Sequence, residues 1–177
     1  MDNREKGMGT PKQNNEKEVK PKEIERKFLV RLLPENLDKY PHKDIVQGYL
    51  AISEDGTEVR LRQKGKKYFQ TVKSGGGKTR FESEIEITES QFNSLWEATK
   101  GKRIEKTRYE IPHKNGIIEL DVYHGDLDGL LSAEMEFPSE EDSNKFVAPE
   151  WMNEEVTEDK RYKNQNLALR GIPKTKE

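Results

Sequence analysis

The chain of 177 residues is long enough for one domain with a sizeable core, yet 37% of its residues are charged and only 31% are hydrophobic. Lys and Arg (32) nearly balance Asp and Glu (34), and the net charge of -2 excludes the basic excess of a general nucleic-acid or membrane-surface binder. The sequence has no cysteine, which excludes a disulfide framework and a thiol nucleophile, and no apolar run of membrane-spanning length, so we expect a cytoplasmic protein.

Three parts are predicted along the chain. Residues 1–21 contain no aromatic residue and little apolar content, which is typical of a disordered leader. A folded domain is expected over residues 22–171, followed by a flexible tail over residues 172–177.

The first predicted strand follows Pro21 and has one ionic face. Because successive strand side chains point to opposite sides, Glu23, Glu25 and Lys27 share one face and Phe28 lies on the other. A solvated surface strand would have the same pattern, so this segment alone does not decide which face is buried.

The alternation returns in the next three predicted strands. A strand over residues 46–52 carries Tyr49, and a turn at Asp55-Gly56 of the kind that closes hairpins leads into a strand over residues 57–63. The latter places Arg60 and Arg62 on one face, and a fourth strand ends at Lys73.

The segment Ser74-Gly-Gly-Gly-Lys-Thr79 ends like a phosphate-binding loop. It lacks the first glycine of that motif, where this chain has Val72, and a strand over residues 81–87 follows it where the motif needs a helix. We therefore predict a hairpin loop next to Arg80. The strand that follows the loop in the chain has an acidic face.

One helix is predicted after this strand. Thr88 and Gln91 form a capping box, Phe92 and Trp96 lie at helical spacing, and Gly101 ends the element. Its apolar stripe predicts that the helix covers the outside of a sheet.

The second half of the chain contains three further strands, over residues 103–111, 117–123 and 131–137. A short helix capped by Ser139 and a capped turn over residues 157–162 follow, before a polar tail. The strands carry the pairs Lys106 and Arg108, Glu119 and Asp121, and Glu134 and Glu136.

About eight strands joined mostly by turns predict an all-β dominated fold, an antiparallel barrel or strongly curved sheet with a few helices. The charges could be a solvated exterior, but each pair has one sign, and the helix stripe needs an apolar face to dock on. Carboxylate pairs suit hard divalent cations, and Arg or Lys pairs suit phosphate oxygens. We therefore expect a polyphosphate ligand with its metal ions.

The ordered series of charged pairs resembles the CYTH superfamily, the triphosphate tunnel metalloenzymes. The segment from Glu23 to Lys27 is similar to the family's E-x-E-x-K motif, and the likeness runs in the family's order from residue 22 to about residue 170. In particular the chain resembles compact bacterial members that hydrolyse inorganic tripolyphosphate. The likeness continues through Gln47-Gly-Tyr-Leu50, Arg60-Leu-Arg62, Lys73, Glu84-Ile-Glu86, Lys106-Thr-Arg108, Glu119-Leu-Asp121, Glu134-Met-Glu136 and the segment from Glu155 to Tyr162.

That resemblance implies an eight-stranded antiparallel tunnel with its charged faces inward, two Mg2+ or Mn2+ ions per active site, and a homodimer as a plausible state. Phosphates would be bound by Lys27, Arg60, Arg62, Lys73, Arg80, Lys106, Arg108 and Arg161. Metal would be bound by Glu23, Glu25, Asp121, Glu134 and Glu136, while Glu84, Glu86 and Glu119 would position the basic residues. The catalytic candidates are Lys27, Tyr49, Glu134 and Glu136.

Our mechanistic hypothesis is that one ion bridges phosphate oxygens and a second activates the attacking water near Glu134 and Glu136. Lys27 and Tyr49 would orient or deprotonate that water, although the carboxylates around Lys27 oppose the low pKa that a lysine base needs. Alternatives are a thiamine triphosphatase, a nucleoside triphosphatase or an adenylate cyclase of the same superfamily, or a polyphosphate-binding module without catalysis. An RNA 5'-triphosphatase is disfavoured because the sequence shows no extended basic surface.

Overall fold

The computed structural model describes residues 24–74, 81–114 and 116–174. Three helices, α1 (Glu89–Trp96), α2 (Glu140–Lys145) and α3 (Asn164–Arg170), accompany a single sheet. Within the described ranges the longest helix has 8 residues, whereas a helical membrane span needs about 20. The strands are β1 (Ile24–Val30), β2 (His42–Ile52), β3 (Glu58–Lys64), β4 (Lys67–Ser74), β5 (Phe81–Ile87), β6 (Arg103–His113), β7 (Gly116–His124), β8 (Leu131–Phe137) and β9 (Met152–Glu155).

The sheet confirms the predicted antiparallel fold, a strongly curled sheet with a few helices, but has nine strands where eight were predicted. It has nine strands in the order β5-β4-β3-β2-β6-β7-β8-β1-β9, with every neighbouring pair antiparallel. Among the described residues no ladder joins the edge strands β5 and β9, so the sheet is open between them. The additional strand β9 pairs with β1 at Phe28 and Val30.

Aliphatic residues opposite the charged positions form an apolar core on what we call the outer face of the sheet. Phe28 on β1, Leu120 on β7 and Met135 on β8 belong to this cluster and are less than 9% exposed. The segment after α2 packs over the cluster through Phe146 and Trp151. Burial of the aliphatic face leaves the charged face, which we call the inner face, for the site.

Helix α1 covers the outer face near β2 and β4, as its apolar stripe predicts. The predicted capping box forms at Thr88 and Gln91, and Phe92 is buried against Tyr68 at 5.0 Å between ring centroids. The turn over residues 97–99 brings Thr99 onto Gly48 of β2, where a Cβ atom would lie 2.5 Å from Thr99 Oγ1 and 2.9 Å from Trp96. Gly48 therefore sets how closely the helix approaches the sheet.

Gly48→Ala is expected to lower the free energy of unfolding by about 1–3 kcal/mol, because the added methyl group would overpack against the fully buried Thr99. Gly116→Ala is the matched control, since its methyl group would meet only the flexible end of Met135. Urea denaturation of both variants measures the difference. An equal loss in the two proteins would contradict the close-packing argument.

An apolar plug covers one end of the inner face. It consists of Ile104, Tyr123, Leu127, Leu130, Val156, Tyr162 and Leu167, with Leu29 packed against it. Leu29, Ile104 and Tyr123 continue the inner faces of β1, β6 and β7 beyond their charged residues, whereas Leu167 comes from α3.

Two elements near the C-terminus were not predicted from the sequence. A polar tail was expected where α3 forms, and no strand was expected at β9. Helix α3 buries only Leu167, so its local pattern is weakly amphipathic, and its docking depends on the plug formed by distant segments.

Candidate active site

Cross-strand register gathers the predicted charged residues on the inner face. Lys27 lies opposite Glu134, Arg108 opposite Asp121, and Tyr49 opposite Arg60. Directly paired residues point to the same side of a sheet, so these pairs form one continuous polar surface. Lys27, Arg60, Lys106 and Asp121 are all less than 9% exposed and contact charged groups of other strands, which indicates that the sheet curls around them.

An ion-pair network occupies the part of the inner face formed by β1, β6, β7 and β8. Arg108 donates to both oxygens of Asp121 at 2.6 Å, to Glu134 at 3.0 Å and to Glu119. Lys106 Nζ lies 2.5 Å from Asp121 Oδ2, and Lys27 Nζ lies 2.8 Å from Glu134 Oε1. Both oxygens of Asp121 and Glu134 therefore accept from cationic side chains.

The carboxyl groups of this network divide into two electrostatic classes. Burial raises the pKa of Glu134, but Lys27 and Arg108 outweigh it and hold the pKa well below its usual value. The pKa of Asp121 is lowered in the same way by Lys106 and Arg108 against the effect of burial. In contrast, burial and repulsion from Glu134 raise the pKa of Glu25 to about 7. Glu25 thus marks a place with more negative charge than the neighbouring cations neutralise.

The part of the inner face formed by β2 and β3 has the opposite imbalance. Arg60 is 7% exposed, and its nearest carboxylate contacts are loose, at 3.4 Å to Glu58 and 4.0 Å to Glu82. Arg60 Nε is buried and has no hydrogen-bond partner in the part of the chain that the structure describes. Burial and the like charges of Arg60 and Arg108 lower the pKa of Arg62 to about 10. This region therefore has unsatisfied donors and excess positive charge.

The edge strand β5 and its neighbour β4 supply the rim of the basic region. Lys73 Nζ lies 3.0 Å from Glu82, while Glu84 accepts from Thr71 at 2.7 Å and lies 3.9 Å from Arg62. Glu86 lies further along β5 and pairs with exposed Lys67 at 3.0 Å. Glu84 and Glu119 therefore contact predicted phosphate-binding arginines, as their predicted positioning role requires. Glu86 instead contacts Lys67, which is not a predicted site residue.

Lys27 and Tyr49 are the two predicted catalytic residues that are not carboxylates. Both side chains keep their ordinary charge states near neutral pH. Burial alone would lower the pKa of Lys27, but Tyr123 and Glu134 outweigh it and raise the pKa above its usual value. Burial, followed by the charge of Glu58, raises the pKa of the Tyr49 phenol. Lys27 is therefore an ammonium and Tyr49 a neutral phenol, and neither suits a general base. Lys106 differs, because burial and Arg108 lower its pKa to about 8.

One predicted site residue within the described ranges, Arg161, is not part of this assembly. Arg161 is half exposed on the turn over residues 160–162, where Asp159 binds its guanidinium at 2.6 Å. Glu23 and Arg80 lie outside the described residues, as do most of the glycine loop, the predicted leader and the end of the predicted tail.

The structure adds four inner-face side chains to which the sequence analysis gave no role in the site, namely Gln47, Glu58, Thr71 and Tyr123. Each lies on the inner face at period two from a predicted residue, so the alternation itself was the available signal. Gln47 and Thr71 carry no charge, so the pattern of charged pairs along the strands does not indicate them as site residues.

Carboxylate chemistry on the inner face suits a hard divalent cation, although no three acidic or histidine side chains within residues 24–74, 81–114 and 116–174 are already arranged as a metal site. Besides the effect of burial, the charges of Glu134 and Glu136 repel Glu25 and raise its pKa, although Lys27 and Arg108 oppose them. A divalent cation would relieve that repulsion. Asp121 and Glu134 would each have to give up a cationic partner to bind metal, because Lys106 and Arg108 bond both oxygens of Asp121 and Lys27 and Arg108 bond both oxygens of Glu134.

Comparisons with known proteins agree with this geometry. The model of the CYTH domain family matches residues 21–172. An inorganic triphosphatase of Nitrosomonas europaea is 52% identical over 149 residues, which cover 83% of this chain and 97% of that protein. An inorganic triphosphatase of Acetivibrio thermocellus is 38% identical over 152 residues, which cover 82% of this chain and 92% of that protein.

Solved structures show the same fold. The crystal structure of the inorganic triphosphatase NE1496 superimposes with a TM-score of 0.69 at 47% identity, covering 86% of this chain and 97% of that one. A conserved hypothetical protein from Pyrococcus furiosus superimposes with a TM-score of 0.51 at 18% identity, covering 70% of this chain and 83% of that one. The second likeness concerns the fold alone.

Proposed function

Because this chain belongs to the CYTH domain family, we propose that it is an inorganic triphosphatase, which hydrolyses tripolyphosphate to pyrophosphate and phosphate with a divalent metal ion. Two relatives at 52% and 38% identity, each matched over more than 90% of its length, are inorganic triphosphatases. The family model matches residues 21–172, a range that includes all nine described strands. The proposal therefore concerns the site as well as the fold.

The observation that carries the proposal is the opposite charge imbalance of the two regions of the inner face. Arg60 and Arg62 are buried together with loose carboxylate partners, while Glu25 lies among carboxylates. A linear polyphosphate with its metal ion supplies anionic oxygens to the first region and positive charge to the second. A neutral ligand would relieve neither imbalance.

The side chains of this site act by positioning and by neutralising charge. Arg60, Arg62 and Lys73 would bind the nonbridging phosphate oxygens on the β3 and β4 side, which aligns the terminal phosphoryl group for attack by water. Lys27, as an ammonium, holds Glu134 at 2.8 Å and adds positive charge beside the reacting phosphate. Arg108 holds Asp121, Glu119 and Glu134 together, so it fixes the acidic side of the site.

A divalent ion would be held by Glu25, Glu134 and Glu136, where it would neutralise phosphate charge and activate water. These side chains are brought to neighbouring positions by the pairing of β1 with β8, in which Glu25 lies opposite Glu136. Mg2+, Mn2+ and a stoichiometry of two ions are our predictions, and Glu23 is a further predicted ligand. Equilibrium titration of each metal in the presence of tripolyphosphate measures the preference and the number of ions.

Phosphate release from tripolyphosphate is expected to exceed release from pyrophosphate, ATP and thiamine triphosphate, in Mg2+ or Mn2+ and not in EDTA. The physical reason is that the described part of the inner face offers mainly charged groups, which suit phosphate oxygens, whereas Tyr49 and Tyr123 are buried and cannot stack on a base or a thiazole ring. A malachite green assay with each substrate and with Mg2+, Mn2+, Ca2+ or EDTA measures the profile.

The other results of this assay would point elsewhere. Dominant ATP or thiamine triphosphate turnover would reassign the substrate, and cyclic AMP as the product would indicate an adenylate cyclase. Tight binding of tripolyphosphate without phosphate release in any metal would favour a binding module.

The location, the oligomeric state and the partners of the enzyme also belong to the proposal. We expect the enzyme to work in the cytoplasm as a possible homodimer, with a small-molecule substrate and neither nucleic acid nor membrane as a partner. Light scattering after size exclusion measures the oligomeric state, and cell fractionation measures the location.

A further inference from the structure

Gln47 connects two predicted site residues through one buried amide. The side chain is 0% exposed on β2, opposite Arg62 of β3 and Ile104 of β6. Its Oε1 accepts from Arg62 Nε at 3.0 Å, and its Nε2 donates to the Tyr49 hydroxyl at 2.7 Å. A buried neutral amide therefore lies between a guanidinium and a phenol, both of them predicted site residues.

The orientation of this amide is dictated by chemistry. A guanidinium has donors only, so the Gln47 oxygen must face Arg62, because the flipped amide would place two N–H groups against each other. The amide nitrogen then faces Tyr49. Since an amide nitrogen donates and does not accept, the Tyr49 oxygen must accept this hydrogen bond.

The orientation of the Tyr49 proton follows from that of the amide. With its oxygen engaged as an acceptor by Gln47, the phenol hydrogen is directed away from Gln47. Tyr49 is 1% exposed and lies opposite Arg60 on the inner face, where the unsatisfied Arg60 Nε also lies. Tyr49 can therefore donate its proton in a hydrogen bond to a ligand held by the two arginines.

We propose that Gln47 is a positioning residue that anchors Arg62 and keeps the Tyr49 hydroxyl as a hydrogen-bond donor to a substrate phosphate oxygen. This inference rests on the proposed function and assigns Tyr49 a donor role in place of the predicted role as a base. It also explains a buried glutamine, because an acidic side chain would accept from Tyr49 and a basic one would repel Arg62.

Gln47→Glu tests the proposal because it preserves size and the anchor to Arg62 but reverses the hydrogen bond to Tyr49. An ionised carboxylate accepts the phenol proton and so withdraws it from the substrate. The kinetic constants for tripolyphosphate are measured for the wild-type chain, Gln47→Glu, Tyr49→Phe and the double variant. Gln63→Glu makes the same chemical change on the outer face of β3, where Gln63 donates to the Gly65 carbonyl, and serves as the control.

We expect Gln47→Glu to lower kcat about 10- to 100-fold, the loss of one hydrogen bond to a charged group. In the Tyr49→Phe background, which has no hydroxyl to reverse, the same change should cost less than about threefold. Gln63→Glu should keep wild-type kcat and KM. A purely structural role of Gln47 would instead lower the melting temperature and reduce activity by the same factor in both backgrounds, and that result would overturn the proposal.

If Gln47→Glu does not fold, Gln47→Met gives the same cycle without introducing a charge. It should cost more in the wild-type background than in the Tyr49→Phe background, and equal losses overturn the proposal. If the wild-type chain releases no phosphate from tripolyphosphate, the proposed hydrolysis fails, and the same cycle is measured on the Kd of tripolyphosphate. Coupling in Kd would support the role of Gln47 in binding, whereas absence of both turnover and binding would overturn both proposals.

Discussion

Replacing Glu134 by glutamine is expected to lower kcat/KM for tripolyphosphate by about 100-fold or more, the loss of several kcal/mol of charge stabilisation at a metal-assisted site. Glu134 accepts from Lys27 at 2.8 Å and from Arg108 at 3.0 Å, and its pKa is held well below its usual value, so it is ionised at neutral pH. Glutamine has nearly the same shape but cannot supply the charge for a divalent cation. Phosphate release at saturating Mg2+ measures the effect.

Glu105→Gln is the matched control for this experiment. Glu105 is exposed on the outer face of β6, opposite Val46 of β2, and takes no part in the charged network of the inner face. The control should retain wild-type activity. Retention of near-normal activity by Glu134→Gln as well would remove Glu134 from both the metal-binding and the catalytic sets.

Arg108→Met is expected to lower the free energy of unfolding by about 3–5 kcal/mol, because it leaves buried carboxylates without their cation. Arg108 contacts Asp121, Glu119 and Glu134 at once, and Asp121 is 0% exposed. Methionine has similar length but cannot donate a hydrogen bond. Urea denaturation at neutral pH without metal measures the loss.

The pH dependence of this loss separates electrostatics from packing. The pKa values of Glu134 and Asp121 lie below their ordinary values of 4.5 and 3.8, so the stability that Arg108 confers is present above those values and lost as pH falls. The gap between wild type and variant should therefore be largest above about pH 5 and shrink in more acidic solution. A gap that stays constant with pH would indicate lost packing.

A surface arginine provides the control for the Arg108 substitution. Arg161 pairs with Asp159 at 2.6 Å but is half exposed, so Arg161→Met should change stability far less. The same variant examines the predicted phosphate-binding role of Arg161. A large rise in KM for tripolyphosphate would support that role, and an unchanged KM would remove Arg161 from the site.

The period-two alternation was enough to predict most of the inner face. It placed Lys27, Arg60, Lys106, Asp121 and Glu134 on one set of strand faces, and all five are buried or nearly buried there. Alternation is a local property of an extended chain, so it can be read without knowledge of the partner strands. The roles assigned to these residues remain predictions that the substitutions above test.

The local sequence also predicted the elements whose hydrogen bonds join residues close together in the chain. The capping box at Thr88 and Gln91 and the turn at Asp55-Gly56 form as expected, with Gly56 at a φ of 86°. Each is satisfied by hydrogen bonds within a few residues. Such elements depend little on tertiary context.

Only the tertiary structure decided which partner each charge has. Lys27 meets Glu134 through the pairing of β1 with β8, which are distant in the chain, and Arg62 meets Gln47 through the register of the β2–β3 hairpin. Register depends on the pairing of whole strands, which a single segment does not encode. For this reason the sequence predicted charged pairs but not the shared use of Arg108 or the loosely paired Arg60.

The sequence by itself therefore determined the alternating charged faces, the antiparallel fold class and the class of ligand. The tertiary structure decided that β9 takes the free edge of β1, that α3 completes the apolar plug, and that Gln47 sets the direction of a hydrogen bond. The first group depends on side-chain periodicity along one strand, which is local. The second depends on strand register and on the packing of separate elements, whose free energy appears only when the sheet is assembled.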